Sequence, residues 1–357
     1  MAADEKPVAD NLTPRMTPFL AGHGRAVEIF LKSWTTGRMH HAWLLAGPKG
    51  IGKATLAYHM ARFLLKQGAG EAGPGLFGDQ TPPDKLVMAE DDPIFSRVAA
   101  GAEGNLKVIE RGLNEKTKRM RQEIIVDDVR ALHSFFELTA AQEGWRIAII
   151  DSADEMNRNA ANALLKMLEE PPAKSILLLV SHAKGRLPAT IRSRCQQLLL
   201  APLEEAQVRQ VLNQRLPELD EGELKTLTGL SGGAPGLAVR MALFKGMTLY
   251  KVVRELLDGK VLKIKEMHDF AGQVSARGQD EKYFLFLDIL QSQLAARIRA
   301  EASQGGGKRR LDCWLQLWEK VNLLRGRGEG LNMGRKQGVL LIIDAIAALH
   351  RNASAAA

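Results

Sequence analysis

Two hydrophobic periods divide the chain. In the first two hundred residues, short apolar runs of strand type alternate with segments whose apolar positions recur every three or four residues. Residues 43–46 precede 53–66, residues 146–150 precede 156–169, and residues 175–180 follow. Strands alternating with helices predict a mostly parallel sheet covered on both faces, an α/β architecture. Past Pro202 the strand pattern stops. Residues 204–214, 221–230 and 236–244 read as three short helices, the last opening after a Gly232-Gly233-Ala234-Pro235 turn. Beyond Gly246 longer helical patterns take over, clearest over 281–302, 309–325 and 334–351. Glycine clusters at 305–307 and 326–330 read as separators between them, and 353–357 as a frayed tail. Residues 67–92, rich in Gly, Pro and acids and without a period, read as a surface insertion. There is no internal repeat. The boundaries implied are 1–202, 203–245 and 246–357.

Composition agrees with a folded chain of two or three domains, since 357 residues exceed what one core usually holds. With 45% hydrophobic and 25% charged residues, long disordered stretches are not expected. Two cysteines, Cys195 and Cys313, are too few for a disulfide framework and point to a reducing, cytoplasmic setting. Residues 1–11 carry acids and no apolar core, which is not the pattern of a signal peptide. The apolar run 338–349 is shorter than the roughly 20 residues a bilayer requires and is broken by Asp344, so no membrane span is expected. A net charge of +8 permits a nucleic-acid partner, although a basic globular protein without one fits equally well.

The chemistry begins at the end of the first apolar strand. Gly47-Pro48-Lys49-Gly50-Ile51-Gly52-Lys53-Ala54-Thr55 opens a helix there, the setting of a Walker A phosphate loop. Glycines let backbone N–H groups turn around phosphates, the helix N-terminus adds positive potential, and Lys53 reaches the outer phosphates. One position departs from the pattern. The hydroxyl residue expected after the lysine to hold magnesium is Ala54, and Thr55 lies about 100° further round the helix. A glycine-rich turn that binds nothing is the alternative reading.

The strand 146–150 ends in Asp151-Ser152-Ala153-Asp154, with Asp151 where a Walker B motif places its magnesium-shell carboxylate. A hydrolysing enzyme of this type needs a carboxylate next, to polarise the attacking water, and Ser152 cannot act as that base. Asp154 and Glu155 are expected to cap the following helix. On that helix Met156, Ala160, Ala163, Leu164 and Met167 form one stripe, best read as core packing. Cys195 reads as a buried hydrophobe.

The stretch Asn159-Ala-Ala-Asn-Ala-Leu-Leu-Lys-Met-Leu-Glu-Glu-Pro-Pro172 and the Ser193-Arg194-Cys195 triplet resemble signatures of clamp-loader subunits. With His41-Ala-Trp-Leu-Leu before the phosphate loop, they are most similar to the delta-prime branch of the bacterial DNA polymerase III family. The resemblance covers most of the first 240 residues and rests afterwards on helical character and the weaker segment 331–337. It implies a RecA-like AAA+ P-loop domain (1–202), a three-helix lid (203–245) and a helical collar (246–357). Through the collar, five subunits would form an open ring with gamma or tau and delta subunits, acting on a sliding clamp and primed DNA. It also implies that Arg194 acts as an arginine finger in trans on a neighbour's ATP, with Arg192 as the rival candidate and a surface salt bridge as the plain alternative.

Against that family three further departures stand out. Residues 67–121 contain no cysteine, so the zinc module that relatives often carry is not expected. Gly236 stands where the lid should offer a sensor arginine, and Ser181 and His182 occupy the position of the first sensor. The combined expectation is weak ATP binding through Gly47, Gly50, Gly52, Lys53, Ala54, Thr55 and Asp151, without hydrolysis. Two other readings stay open: an active AAA+ ATPase using Thr55 and Asp154 in irregular roles, and a DNA-binding module with its footprint at 116–121 and Lys308-Arg309-Arg310.

Overall fold

The computed structural model describes residues 13–68, 85–112, 121–137, 144–303, 308–330 and 334–354. The described chain divides into two compact units. One runs through Leu224 and includes Gly233–Gly236; the other comprises Lys225–Gly232 and the chain from Leu237 onward.

The first unit is built on five strands: β1 (Ala42–Ala46), β2 (Leu106–Ile109), β3 (Arg146–Ile150), β4 (Ser175–Ser181) and β5 (Gln196–Leu199). They are all parallel, in the order β2-β3-β4-β1-β5. Ala42 pairs with Leu177 of β4, and Trp43 pairs with Gln196 of β5, so β1 is hydrogen-bonded on both sides. Every residue of β1 and β4 is buried, as the continuous apolar runs require when helices cover both faces. The covering helices are α1 (Gly24–Thr35), α2 (Lys53–Gly68), α3 (Pro93–Ala100), α4 (Val126–Glu137), α5 (Arg158–Glu169) and the single turn α6 (Ala189–Arg192). α7 (Glu205–Arg215) follows β5.

α2 is buried over most of its length, and two of its buried polar members, Arg62 and His59, find backbone partners. Arg62 donates to the carbonyls of Thr17 and Arg15, both at 3.0 Å, with its guanidinium 4.5 Å from the centre of the Phe95 ring. His59 sits between the carbonyls of Leu86 and Phe19. α5 presents Ala160, Ala161, Leu164, Met167 and Leu168 to a core shared with α4, β1, β3 and β4. Met156 lies outside this helix and Ala163 is only half-buried, so the stripe is displaced by one position from the expected one.

The second unit is helical: α8 (Glu221–Leu230) and α9 (Pro235–Leu243), each of which spans the division between the two units, then α10 (Gly246–Leu257), α11 (Ile264–Val274), α12 (Asp280–Ser303), α13 (Lys308–Gly330) and α14 (Arg335–Ser354). Asp288 of α12 pairs with Arg240 of α9 and, at 2.7 Å, with Arg325 of α13. Gly326–Gly330 do not separate two helices, because they continue α13. The turns before them, anchored by buried Trp314, Leu317, Val321 and Leu324, carry the helix through, against a cost of about 1 kcal/mol per glycine. Likewise 353–354 belong to α14, whereas 305–307, 355–357 and most of the 67–92 insertion lie outside the described residues. Among the described residues no helix is long and apolar enough to cross a membrane.

Candidate functional site

Strand order decides where a ligand would bind. Ligands of open parallel sheets sit beyond the carboxyl ends of the strands at a switch point in their order, and β1 is such a point here. The loop leaving β1 carries Gly47, Gly50 and Gly52. Gly50 and Gly52 have φ of 81° and 98°, the left-handed region that a side chain resists, and α2 starts at Lys53 immediately after. At Gly47 a Cβ would collide with the carbonyl oxygen of Leu200 just past β5. The backbone of a phosphate loop is therefore present with its glycines where the geometry demands them.

The loop is tied at its tip. Gly50 accepts a hydrogen bond from the backbone N–H of Gly236 in the first turn of α9, at 2.9 Å. A Cβ at Gly236 would stand 3.1 Å from the Gly50 oxygen and 3.3 Å from its Cα, so the approach depends on the missing side chain. From the other side, His23 Nε2 lies 2.8 Å from the Ile51 oxygen. Burial lowers the His23 pKa against the opposing effect of that carbonyl, and the Lys53 charge lowers it further. His23 has no motif around it and stands 28 residues before its partner, which is why no sequence pattern singles it out.

Lys53 is buried with its ammonium donating to the Pro48 carbonyl. Burial brings its pKa down to about 8, while the carboxylates of Asp151 and Asp154 oppose that fall. Asp151, at the end of β3, is raised, first by burial and then by Glu110 at the end of neighbouring β2, with Lys53 holding it down. Two carboxylates and a lysine thus meet at adjacent strand ends. Glu110 is invisible to motif reading because β2 is a four-residue strand of mostly half-exposed residues. Ala54 and Thr55 lie half-buried in the first turn of α2, and Ala54 brings no oxygen to the site.

Ser152 follows Asp151 at φ of 62°, and its hydroxyl shares a 3.1 Å hydrogen bond with His182 Nε2. The backbone N–H of His182 donates to Asp154 Oδ1 at 2.8 Å. These contacts join the turn after β3 to the end of β4. Neither acid caps α5. That role falls to Asn157, whose side chain accepts from the Ala160 N–H, while Glu155 pairs with Arg111. The residue directly after Asp151 thus brings a hydroxyl with a local partner and no carboxylate.

Arg194 lies elsewhere on the same unit, after α6. It donates from Nη1 to its own turn at the Thr190 carbonyl, 3.0 Å, and from Nη2 to Glu169 Oε1, 2.8 Å. Its side chain is 36% exposed. The rival Arg192 is half-buried, and its carbonyl accepts from Gln197. Cys195 is buried, its thiol pushed up to about 12 by desolvation, a packing residue with no nucleophilic character near neutral pH.

Between α4 and α5 a groove of about 630 Å³ is lined by Arg130, His133, Asn159, Asn162 and Lys166. Of the expected basic footprint, Lys116, Lys118 and Arg119 and the side chains of 308–310 lie outside the described residues, and Arg121 pairs with Asp128 at 3.0 Å. Among the described residues no cluster of His, Cys, Asp or Glu could hold a metal ion.

Residues 22–204, the span that contains β1 to β5, match the family model described as "DNA polymerase III, delta subunit". The chain is 38% identical over 201 residues to the DNA polymerase III subunit delta' of Pseudomonas aeruginosa, a match covering 56% of this chain and 55% of that protein. It is 32% identical over 220 residues to the subunit delta' of Escherichia coli, covering 61% and 59%. It is 29% identical over 209 residues to the tau subunit of Salmonella typhimurium, covering 57% and 28%. The match thus spans a little over half the length of these delta' relatives. On the phosphate-loop geometry, the parallel strand order and these matches together, the chain belongs to the DNA polymerase III clamp-loader family, in its delta-prime branch.

Proposed function

We propose that this chain is a ring subunit of a clamp loader that helps place a sliding clamp on primed DNA, giving Arg194 to a neighbour's ATP site and hydrolysing no ATP itself. The observation that carries this reading is the fate of the water-activating position. Ser152 sits there, held by His182, and a hydroxyl of ordinary acidity cannot take the proton from water. Arg194 by contrast is presented at the surface. An arginine is always charged, and its planar fork matches a γ-phosphate. A trans arginine is worth about 10³ to 10⁵ in rate in GTPase systems.

Nucleotide fits the loop only in part. The N–H groups around Gly47, Gly50 and Gly52, the Lys53 ammonium and the N-terminus of α2 suit phosphates. Ala54 supplies no magnesium ligand and Gly236 no arginine, so weak binding is the expectation. Residues 246–357 are proposed as the collar that joins gamma or tau and delta subunits in a five-membered ring.

The test is reconstitution of the complex with clamp and primed DNA. Arg194→Ala should lower its ATPase by about an order of magnitude or more, with Arg192→Ala as the control that changes it little. Folding should be nearly unchanged, because exposed ion pairs contribute about 0 to 1 kcal/mol. An unimpaired rate in the Arg194→Ala complex would leave the subunit as scaffold alone.

A further inference from the structure

Glu169 and Arg194 come from different elements. Glu169 is the last residue of α5, stopped there by Pro171 and Pro172, whereas Arg194 follows α6. Their 2.8 Å ion pair therefore bridges two segments 25 residues apart in the chain. The Thr190 carbonyl holds the adjacent nitrogen at 3.0 Å. A guanidinium has five N–H groups, so these two bonds, one from each terminal nitrogen, leave three without a partner among the described residues. The negative end of α5 adds to the attraction of a cation at this place.

An unrestrained arginine is a poor finger. Fixing a long side chain costs rotamer entropy, which would otherwise be lost at the moment of engagement. A surface ion pair of this exposure adds little to folding. Orientation is what it can supply, since small displacements of a reacting group are costly in rate.

We propose that Glu169 is a positioning residue for Arg194, holding the guanidinium by one edge so that its free N–H groups face the neighbouring subunit. The inference rests on the trans-finger reading of Arg194. Glutamate here does not touch the nucleotide; it acts through the arginine. Glutamine at 169 keeps an oxygen able to accept from Nη2 and should therefore preserve most of the function, whereas alanine should not.

The experiment uses the reconstituted complex with clamp and primed DNA, with ATP as the varied substrate. Glu169→Ala should lower kcat by roughly three- to ten-fold with KM for ATP nearly unchanged, and Glu169→Gln should stay within about two-fold of the parent. In an Arg194→Ala background, Glu169→Ala should cause no further loss, because the two act as a unit. A merely structural role would move the melting temperature of the subunit and would not split kcat from KM. An undiminished or raised kcat in Glu169→Ala, with Arg194→Ala still impaired, overturns the positioning role alone. An additive loss in the double variant overturns it too. A full rate in Arg194→Ala removes the finger reading itself and this inference with it.

Discussion

At the ends of β1 and β3 the chain carries the backbone of a phosphate loop, while Ala54, Ser152 and Gly236 bring no hydroxyl, carboxylate or arginine to those three positions. At α6 the emphasis is reversed, for an ordinary turn carries one arginine gripped by two local partners. The first region owes its shape to glycines at φ of 81° and 98° and to strand order, features that no single polar substitution disturbs. Any chemistry there would hang on individual groups, and positions 54, 152 and 236 hold Ala, Ser and Gly. The second region has little shape to preserve and depends on Arg194 with its two anchors. The contrast is that glycines and strand order fix the shape of the first region whatever its side chains, whereas a single side chain defines the second.

The largest effect should come from the helix the two regions share. Leu164→Ala removes a fully buried side chain of α5 from the central core and should cost about 2 to 5 kcal/mol in a denaturant titration, degrading both regions together. At the outward region alone, Arg194→Lys should reduce the ATPase of the reconstituted complex about as severely as alanine does, since an ammonium lacks the planar fork. Retention of most activity by lysine would show that charge suffices there.

At the inward region, pH should act through Lys53. Below its pKa of about 8 the ammonium is charged and attracts phosphate; above it the neutral amine does not. Fluorescent-nucleotide affinity should therefore fall as pH rises, approaching about tenfold per unit above that value, and Lys53→Met should bind weakly with a flat profile. A flat profile in the parent would place the nucleotide elsewhere. The smallest change is expected for Ser152→Gly. Relief of the left-handed backbone and loss of the hydrogen bond to His182 are each worth about 1 kcal/mol and oppose each other. Stability should stay within about 1 kcal/mol of the parent, and a much larger loss would show that the serine hydroxyl holds the turn.

Legibility in the sequence followed burial. β1, β3 and β4 are continuous apolar runs because both their faces are covered, and residues 146–150 could be read off directly. The edge strands β2 and β5 are four residues long with exposed positions such as Lys107 and Leu199, so no period marks them. α13 ran through five residues of glycine-rich chain that looked like a break, because tertiary packing overrode local preference. The phosphate loop was legible since its glycines and lysine are contiguous. His23, Glu110 and Glu169 were not, since each gains its role only when distant elements meet.

The hydrogen bond between Gly236 and Gly50 also limits what position 236 can hold. A Cβ there would stand 3.1 Å from the Gly50 oxygen and 3.3 Å from its Cα, so a larger residue obliges the tip of the phosphate loop to give way slightly. An arginine placed at 236 would therefore act on the loop through its first carbon as well as through its guanidinium, and the two effects would arrive together in any assay.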